Sequence, residues 1–253
     1  MITTLFYDGS FEGILTAVFE IYARKLKHVK LLPNGTYSGA MFTDELTIIT
    51  DDNRARRVLQ GLTRKIASAG VQRLYAAHLA EILEEDNPIV GYMRYVFDND
   101  KNIEDDYGNR YVLRISEIVR MVRREKHRME AFIRFKKLKD ETFYATVDPD
   151  FNVLPLILKH FRKRYADQKW IIYDTRRAFG LYYDLHQVEY ITLDFSEEGV
   201  GKSIVSKYES DEGIYQVLWK EYFKSVNIGS RKNNKLHLRH VPKRYWKNLT
   251  EKL

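Results

Sequence analysis

The sequence of 253 residues contains no cysteine. That excludes disulfides, cysteine-ligated zinc and any iron–sulfur cluster held by the chain's own thiolates. No stretch approaches the roughly 18 apolar residues of a membrane-spanning helix. The opening Met1-Ile2-Thr3-Thr4-Leu5-Phe6-Tyr7-Asp8 lacks the basic start and apolar core of a signal peptide. There is no Gly-x-Ser-x-Gly elbow, no metalloprotease spacing among the seven histidines, and no internal repeat or low-complexity tract. What is present is 44% hydrophobic and 13% aromatic residues, enough apolar material for a full core and incompatible with disorder of the whole chain. The expectation is a cytoplasmic protein with no membrane contact, no bound metal and no cofactor.

The net charge of +7 is unevenly placed. Residues 1–107 carry 12 Lys+Arg against 16 Asp+Glu, a net of −4, whereas residues 108–253 carry 30 against 19, a net of +11. The last 25 residues alone hold eight basic side chains and one acidic, Glu251. A basic tail of this kind neutralises phosphates and releases their counterions, or else serves as a solvated surface that maintains solubility.

Apolar periodicity sets the expected elements. Leu5-Phe6-Tyr7 reads as a strand, ended by Asp8-Gly9-Ser10. Phe11, Ile14, Leu15, Val18, Phe19, Tyr22 and Leu26 then recur at helical spacing. Residues 30–45 read as a loop, and Leu46-Thr47-Ile48-Ile49 as a second strand. A helix opened by Asp51 and Asp52 is expected to break at Gly70, with another continuing from Val71. Pro88 sits where a further helix would begin.

In the helix predicted over 111–130, Ile115, Ile118, Val119, Val122 and Met129 share one face, while Arg120, Arg124, His127 and Arg128 fall opposite. From residue 131 the period drops to two. Strands are predicted at Ile133–Phe135, Phe143–Val147, Trp170–Tyr173, Phe179–Tyr183 and Val188–Leu193, with a helix from Pro155 to Arg164 between the second and third. Asp211 caps one more predicted helix. The fold class is α+β: a mostly helical region with short N-terminal strands over 1–107, and a basic region over 108–253 with a mainly antiparallel sheet of about five strands and a basic C-terminal tail. The two regions are also compatible with a single domain.

Three motifs carry possible chemistry. Gly199-Val200-Gly201-Lys202-Ser203 imitates the end of a phosphate-binding loop, but Ser196 stands where the pattern requires glycine, and Glu197 and Glu198 would oppose a phosphate. It reads as an ordinary loop. Asp8 and Glu12 at a helix start offer either proton chemistry or a simple cap. The tail residues Arg231, Lys232, Lys235, Arg239, His240, Lys243, Arg244, Tyr245 and Trp246 combine cations that grip phosphates with rings that can stack bases. Alternatively, Tyr245 and Trp246 dock on the body and leave the charges exposed.

Several segments taken together resemble one bacterial family. They are Tyr7-Asp8-Gly9-Ser10-Phe11-Glu12-Gly13, Arg123-Arg124-Glu125-Lys126-His127-Arg128-Met129, Asp148-Pro149-Asp150-Phe151-Asn152-Val153-Leu154-Pro155, His160-Phe161, Asp167 through Asp174 with Arg176-Arg177, and the tail from Arg231 to Trp246. The family is a domain of unknown function associated with DNA metabolism and repair. Its members are typically encoded beside a radical SAM enzyme, and some are fused to a uracil-DNA glycosylase-like domain. Phe151 stands where that family's pattern leads one to expect histidine, and Gly229-Ser230 replaces a proline-containing approach to the tail.

The resemblance implies a DNA-binding accessory partner of a radical SAM DNA-repair or modification enzyme. The Arg120, Arg124, His127 and Arg128 face, Arg176, Arg177 and the tail would then contact phosphates, with Tyr245 or Trp246 stacking on bases. Two alternatives stand beside it. One is a stand-alone nuclease or glycosylase-like enzyme using Asp8, Glu12, Asp148 or His127. The other is a protein-interaction module without DNA contact.

Overall fold

The turn Asp8-Gly9-Ser10 links strand β1 (Thr3–Tyr7) to helix α1 (Phe11–Ala23) in the computed structural model of the chain, which describes residues 2–36, 44–83, 87–192, 241–249 and 252. Gly9 takes φ +83°, a left-handed conformation that a side chain would strain. Asp8 accepts from the Ser10 amide (2.9 Å) and Ser10 hydroxyl (2.6 Å), and Ser10 Oγ accepts from the Gly13 amide (2.8 Å). The chain divides into two compact units, Met1–Arg123 and Arg124–Leu253.

In the first unit, β1 lies between β2 (Val29–Pro33) and β3 (Asp44–Thr47), and both pairings are parallel. Helices α2 (Asp52–Lys65), α3 (Ser68–His78) and α4 (Pro88–Asp98) follow, and α5 (Arg110–Phe132) begins here. Asp51 caps α2 through the Asn53 and Arg54 amides, while Asn87 caps α4 through the Ile89 and Val90 amides. Leu5, Ile14, Leu62, Leu74, Met93 and Ile118 are among the fully buried side chains.

Three expectations fail in this unit. Residues 29–33 form a strand rather than a loop, because Leu31 and Leu32 are buried where β2 pairs with β1. The helix break falls at Ile66-Ala67, where Ile66 is extended (φ −126°, ψ 153°), and Gly70 lies within the first turns of α3. The second strand is also displaced, to Asp44–Thr47.

The second unit contains a five-stranded sheet in the order β4-β5-β6-β7-β8: β4 (Lys136–Lys137), β5 (Phe143–Val147), β6 (Trp170–Asp174), β7 (Phe179–Tyr183) and β8 (Val188–Ile191). It is mostly antiparallel, in agreement with the α+β reading. The exception is β5–β6, which runs parallel because α6 (Leu154–Arg164) carries the chain back between them. Strand β4 is shorter than predicted and begins after Phe135.

Trp170, Ile172, Ile157 and Phe161 are fully or almost fully buried, with Phe161 of α6 edge-on to Trp170, while Tyr173 is buried in a separate cluster with Leu138 and Tyr144. A Cβ on Gly180 would lie 2.8 Å from the Ile172 carbonyl oxygen, so glycine is what lets β7 approach β6. A 3-10 helix, Lys243–Asn248, follows Pro242. Among the described residues no helix is long and apolar enough to cross a membrane. The Gly199–Ser203 loop and the helix expected from Asp211 lie outside the described residues.

Candidate nucleic-acid interface

Helix α5 sorts its charges by register. Ile115, Ile118, Val119, Val122 and Met129 are buried. Arg120, Arg124 and His127 are exposed and form no ion pair among the described residues, and Arg123 shares that condition. At 3.6 residues per turn, Arg120, Arg124 and His127 occupy successive turns of one face. Arg128 differs: it is half-buried, with Nη1 3.7 Å from Glu125 Oε2 and its guanidinium 5.8 Å from the Tyr245 ring centroid.

Glu125 is the centre of a second group of charges. Only 1% of it is exposed, and an ionised carboxylate so deeply buried requires compensating donors. Its Oε1 accepts from the Asp150 amide at 3.0 Å, and its Oε2 from Arg244 Nη2 at 2.7 Å and the Tyr245 hydroxyl at 2.5 Å. Arg244 also donates to the Tyr245 hydroxyl and pairs with Asp150. Burial together with the hydrogen bond to Glu125 pushes the Tyr245 hydroxyl up to about 12, although Arg244 opposes the shift.

The turn after β6 supplies the rest. Asp174, 0% exposed, accepts from the Arg176 and Arg177 amides through Oδ1 and pairs through Oδ2 with Arg177 Nη1 at 3.0 Å. Arg177 then donates to the Pro149 and Asp150 carbonyls, both at 3.1 Å. Arg176 reaches the Asp150 carbonyl at 3.4 Å while most of its side chain stays in solvent. Asp148 is held by Lys247 (2.7 Å) and Asn248 (3.0 Å).

The sequence segments Arg123–Met129, Asp148–Pro155, Asp174–Arg177 and Pro242–Trp246 therefore meet in one place. The arginines of these segments stand out in the sequence, whereas the carboxylates that organise them, Glu125, Asp150 and Asp174, do not. For Glu125 a signal existed, since it lies about 20° beyond the edge of the apolar arc of α5 at 100° per residue.

The residues expected to contact nucleic acid are thus found in three situations. Arg120, Arg124, His127 and Lys243 are exposed, as is much of Arg176. Arg128, Arg177 and Arg244 are committed to carboxylates within the unit. Tyr245 is 2% exposed with its hydroxyl bonded, so the structure corrects the expectation of a stacking ring there: it is a core residue. Trp246 is half-buried, its Nε1 donating to the Val241 carbonyl at 3.1 Å and the Lys252 ammonium 5.2 Å from its ring centroid. Arg231, Lys232, Lys235, Arg239 and His240 lie outside the described residues.

Of the residues considered for catalysis, Asp8 is engaged by Ser10 and by the Thr50 hydroxyl (2.8 Å). Partial burial pushes its carboxyl up, but the hydrogen bonds from Ser10 and Thr50 outweigh it and hold the group below the ordinary aspartate value. That is the environment of a capping carboxylate, not of a proton shuttle. Among the described residues no three His, Asp or Glu side chains are grouped so as to hold a metal ion.

Fold and cluster together define a basic α+β protein whose second unit ties a mixed five-stranded sheet, a long helix and a C-terminal turn around buried carboxylates. A family described as a domain of unknown function, DUF4130, matches residues 84–251, a span that includes every member of the Glu125 and Asp174 group. The chain belongs to that family. A search of curated proteins finds no match.

Proposed function

We propose that this protein binds DNA through its phosphate backbone and acts as the accessory partner of a radical SAM enzyme of DNA repair or modification. The observation that supports DNA binding best is the exposed face of α5, where the guanidinium groups of Arg120 and Arg124 stand beside the His127 ring and no carboxylate among the described residues neutralises them. The excess of basic residues over 229–253 adds to it. The radical SAM partner is supported by the family resemblance of the sequence segments that assemble around Glu125. It is compatible with a chain that has no thiolate of its own for a cluster. Contacts to phosphates from such a face position nucleic acid without reading its bases.

The test is fluorescence anisotropy of the full chain with labelled single- and double-stranded oligonucleotides over a range of salt concentration. Binding is expected at low ionic strength, with log K falling as log salt rises, by about 0.9 per phosphate neutralised on duplex DNA. Replacing Arg120 and Arg124 together with glutamine should weaken binding about tenfold and flatten the slope. Absence of binding at low salt overturns the proposal. Pull-down with the neighbouring radical SAM protein, with and without DNA, tests the partner separately.

A further inference from the structure

The first unit contains a cavity of about 280 Å³ whose lining includes Tyr7, Ile14, Pro33, His78, Glu81 and Ile89. Its place in the fold is informative. Tyr7 and Pro33 are the last residues of the parallel strands β1 and β2, and the chain moves from β1 to one side for β2 and then to the other for β3. Crevices outside the carboxyl ends of parallel strands, where the strand order reverses, are where open α/β sheets bind ligands. The volume is at the small end for a ligand pocket and suits one small ring system.

The lining decides what kind of ligand. Two helices begin at this cavity, and either would ordinarily favour an anion. Both have their first amides taken by their own side chains: Ser10 holds Gly13 on α1, and Asn87 holds Ile89 and Val90 on α4. Asp8, Glu12 and Glu81 all act electrostatically on His78, so the local potential is negative. A phosphate or carboxylate therefore meets carboxylates and few free donors. Burial holds His78 below the ordinary histidine value despite those carboxylates, so at neutral pH its imidazole is uncharged and carries one acceptor nitrogen. Burial likewise keeps the Tyr7 hydroxyl protonated. Ile14, Ile89 and Ile118 supply a buried apolar lining.

We propose that this cavity is a binding site for a small planar heterocycle bearing an amino group, with its ring against Ile14, Ile89 and Ile118 and its donors directed to His78 and Glu81. This site is independent of the DNA-binding reading and does not need it. Glu81 lies three residues beyond the end of α3 in the left-handed region (φ +55°), where a glycine would be less strained. The carboxylate is thus carried on a position that backbone preference alone would not choose.

The experiment is titration of the 253-residue chain with 2-aminobenzimidazole and adenine, followed by calorimetry and by amide resonances of Gly9, His78 and Ile89. Benzimidazole and inorganic phosphate serve as comparisons. Saturable binding of the amino compounds is expected, about tenfold tighter than benzimidazole, with shifts concentrated at those residues. His78→Phe should weaken it about tenfold. Glu81→Gln, at an exposed position, should weaken it about threefold. No saturable binding of either amino compound, binding that neither variant alters, or tighter binding of phosphate would each overturn the proposal.

Discussion

Two sets of arginines in this protein differ in the carboxylates that lie beside them. Arg120 and Arg124 stand in solvent on α5 without carboxylate partners among the described residues, whereas Arg177 and Arg244 are drawn in by Asp174, Asp150 and Glu125. The difference is made by the acidic side chains, not by the basic ones. A buried carboxylate recruits cations to satisfy itself, and a guanidinium so engaged contributes to the fold rather than to a ligand. Net charge counts both sets equally, so it overstates the surface available to a polyanion.

The comparison is sharpest where a cation is removed from beside a fully buried acid. Arg177→Met leaves Asp174 with two backbone amides and no counter-charge among the described residues, and should cost about 3 kcal/mol in chemical denaturation. If stability is unchanged, the distinction between the two sets fails. Glu125→Ala removes the acceptor shared by Arg244, Tyr245 and the Asp150 amide. Arg244 can return to water, so the expected loss is smaller, about 2 kcal/mol. By contrast Arg124→Gln should change stability by less than about 0.5 kcal/mol while lowering oligonucleotide affinity. A variant at Arg124 that unfolds the protein, or one at Arg177 that alters only affinity, would reverse the assignment.

A further prediction concerns protons. Tyr245 in the fold is held up to about 12, above its ordinary value of 10.0. Its contribution to stability is therefore complete below pH 10 and declines as pH rises from about 10 to about 12, because the unfolded chain releases that proton first. Denaturation midpoints measured across this interval should fall less steeply for Tyr245→Phe than for the parent protein.

Much of the second unit was legible in the sequence. Strands β5 to β7 and helix α6 follow from alternation, from β-branched and aromatic residues, and from prolines at their borders. The apolar face of α5 follows from its period. What escaped depended on partners distant in sequence. Residues 29–33 show no alternation, because β2 is defined by parallel pairing with β1, a contact that local pattern does not encode. Gly70 looked like a breaker but sits in α3 where a Cβ would crowd Ile66 and Glu104, so packing retains the glycine within the helix. The availability of each arginine was equally hidden, since it depends on which carboxylates come to lie beside it.

The single parallel pairing in the five-stranded sheet has a consequence in time. Strands β6, β7 and β8 are joined by the short links at residues 175–178 and 184–187 and can zip together locally, whereas β5 cannot join β6 until the chain has traversed α6. Closing the longer loop carries the larger entropic cost, which places the meander early in folding and the β5 edge late. Asp148 and Asp150 directly follow β5, so the Glu125 assembly would be among the last parts of this unit to acquire protection when refolding is followed by pulsed hydrogen exchange.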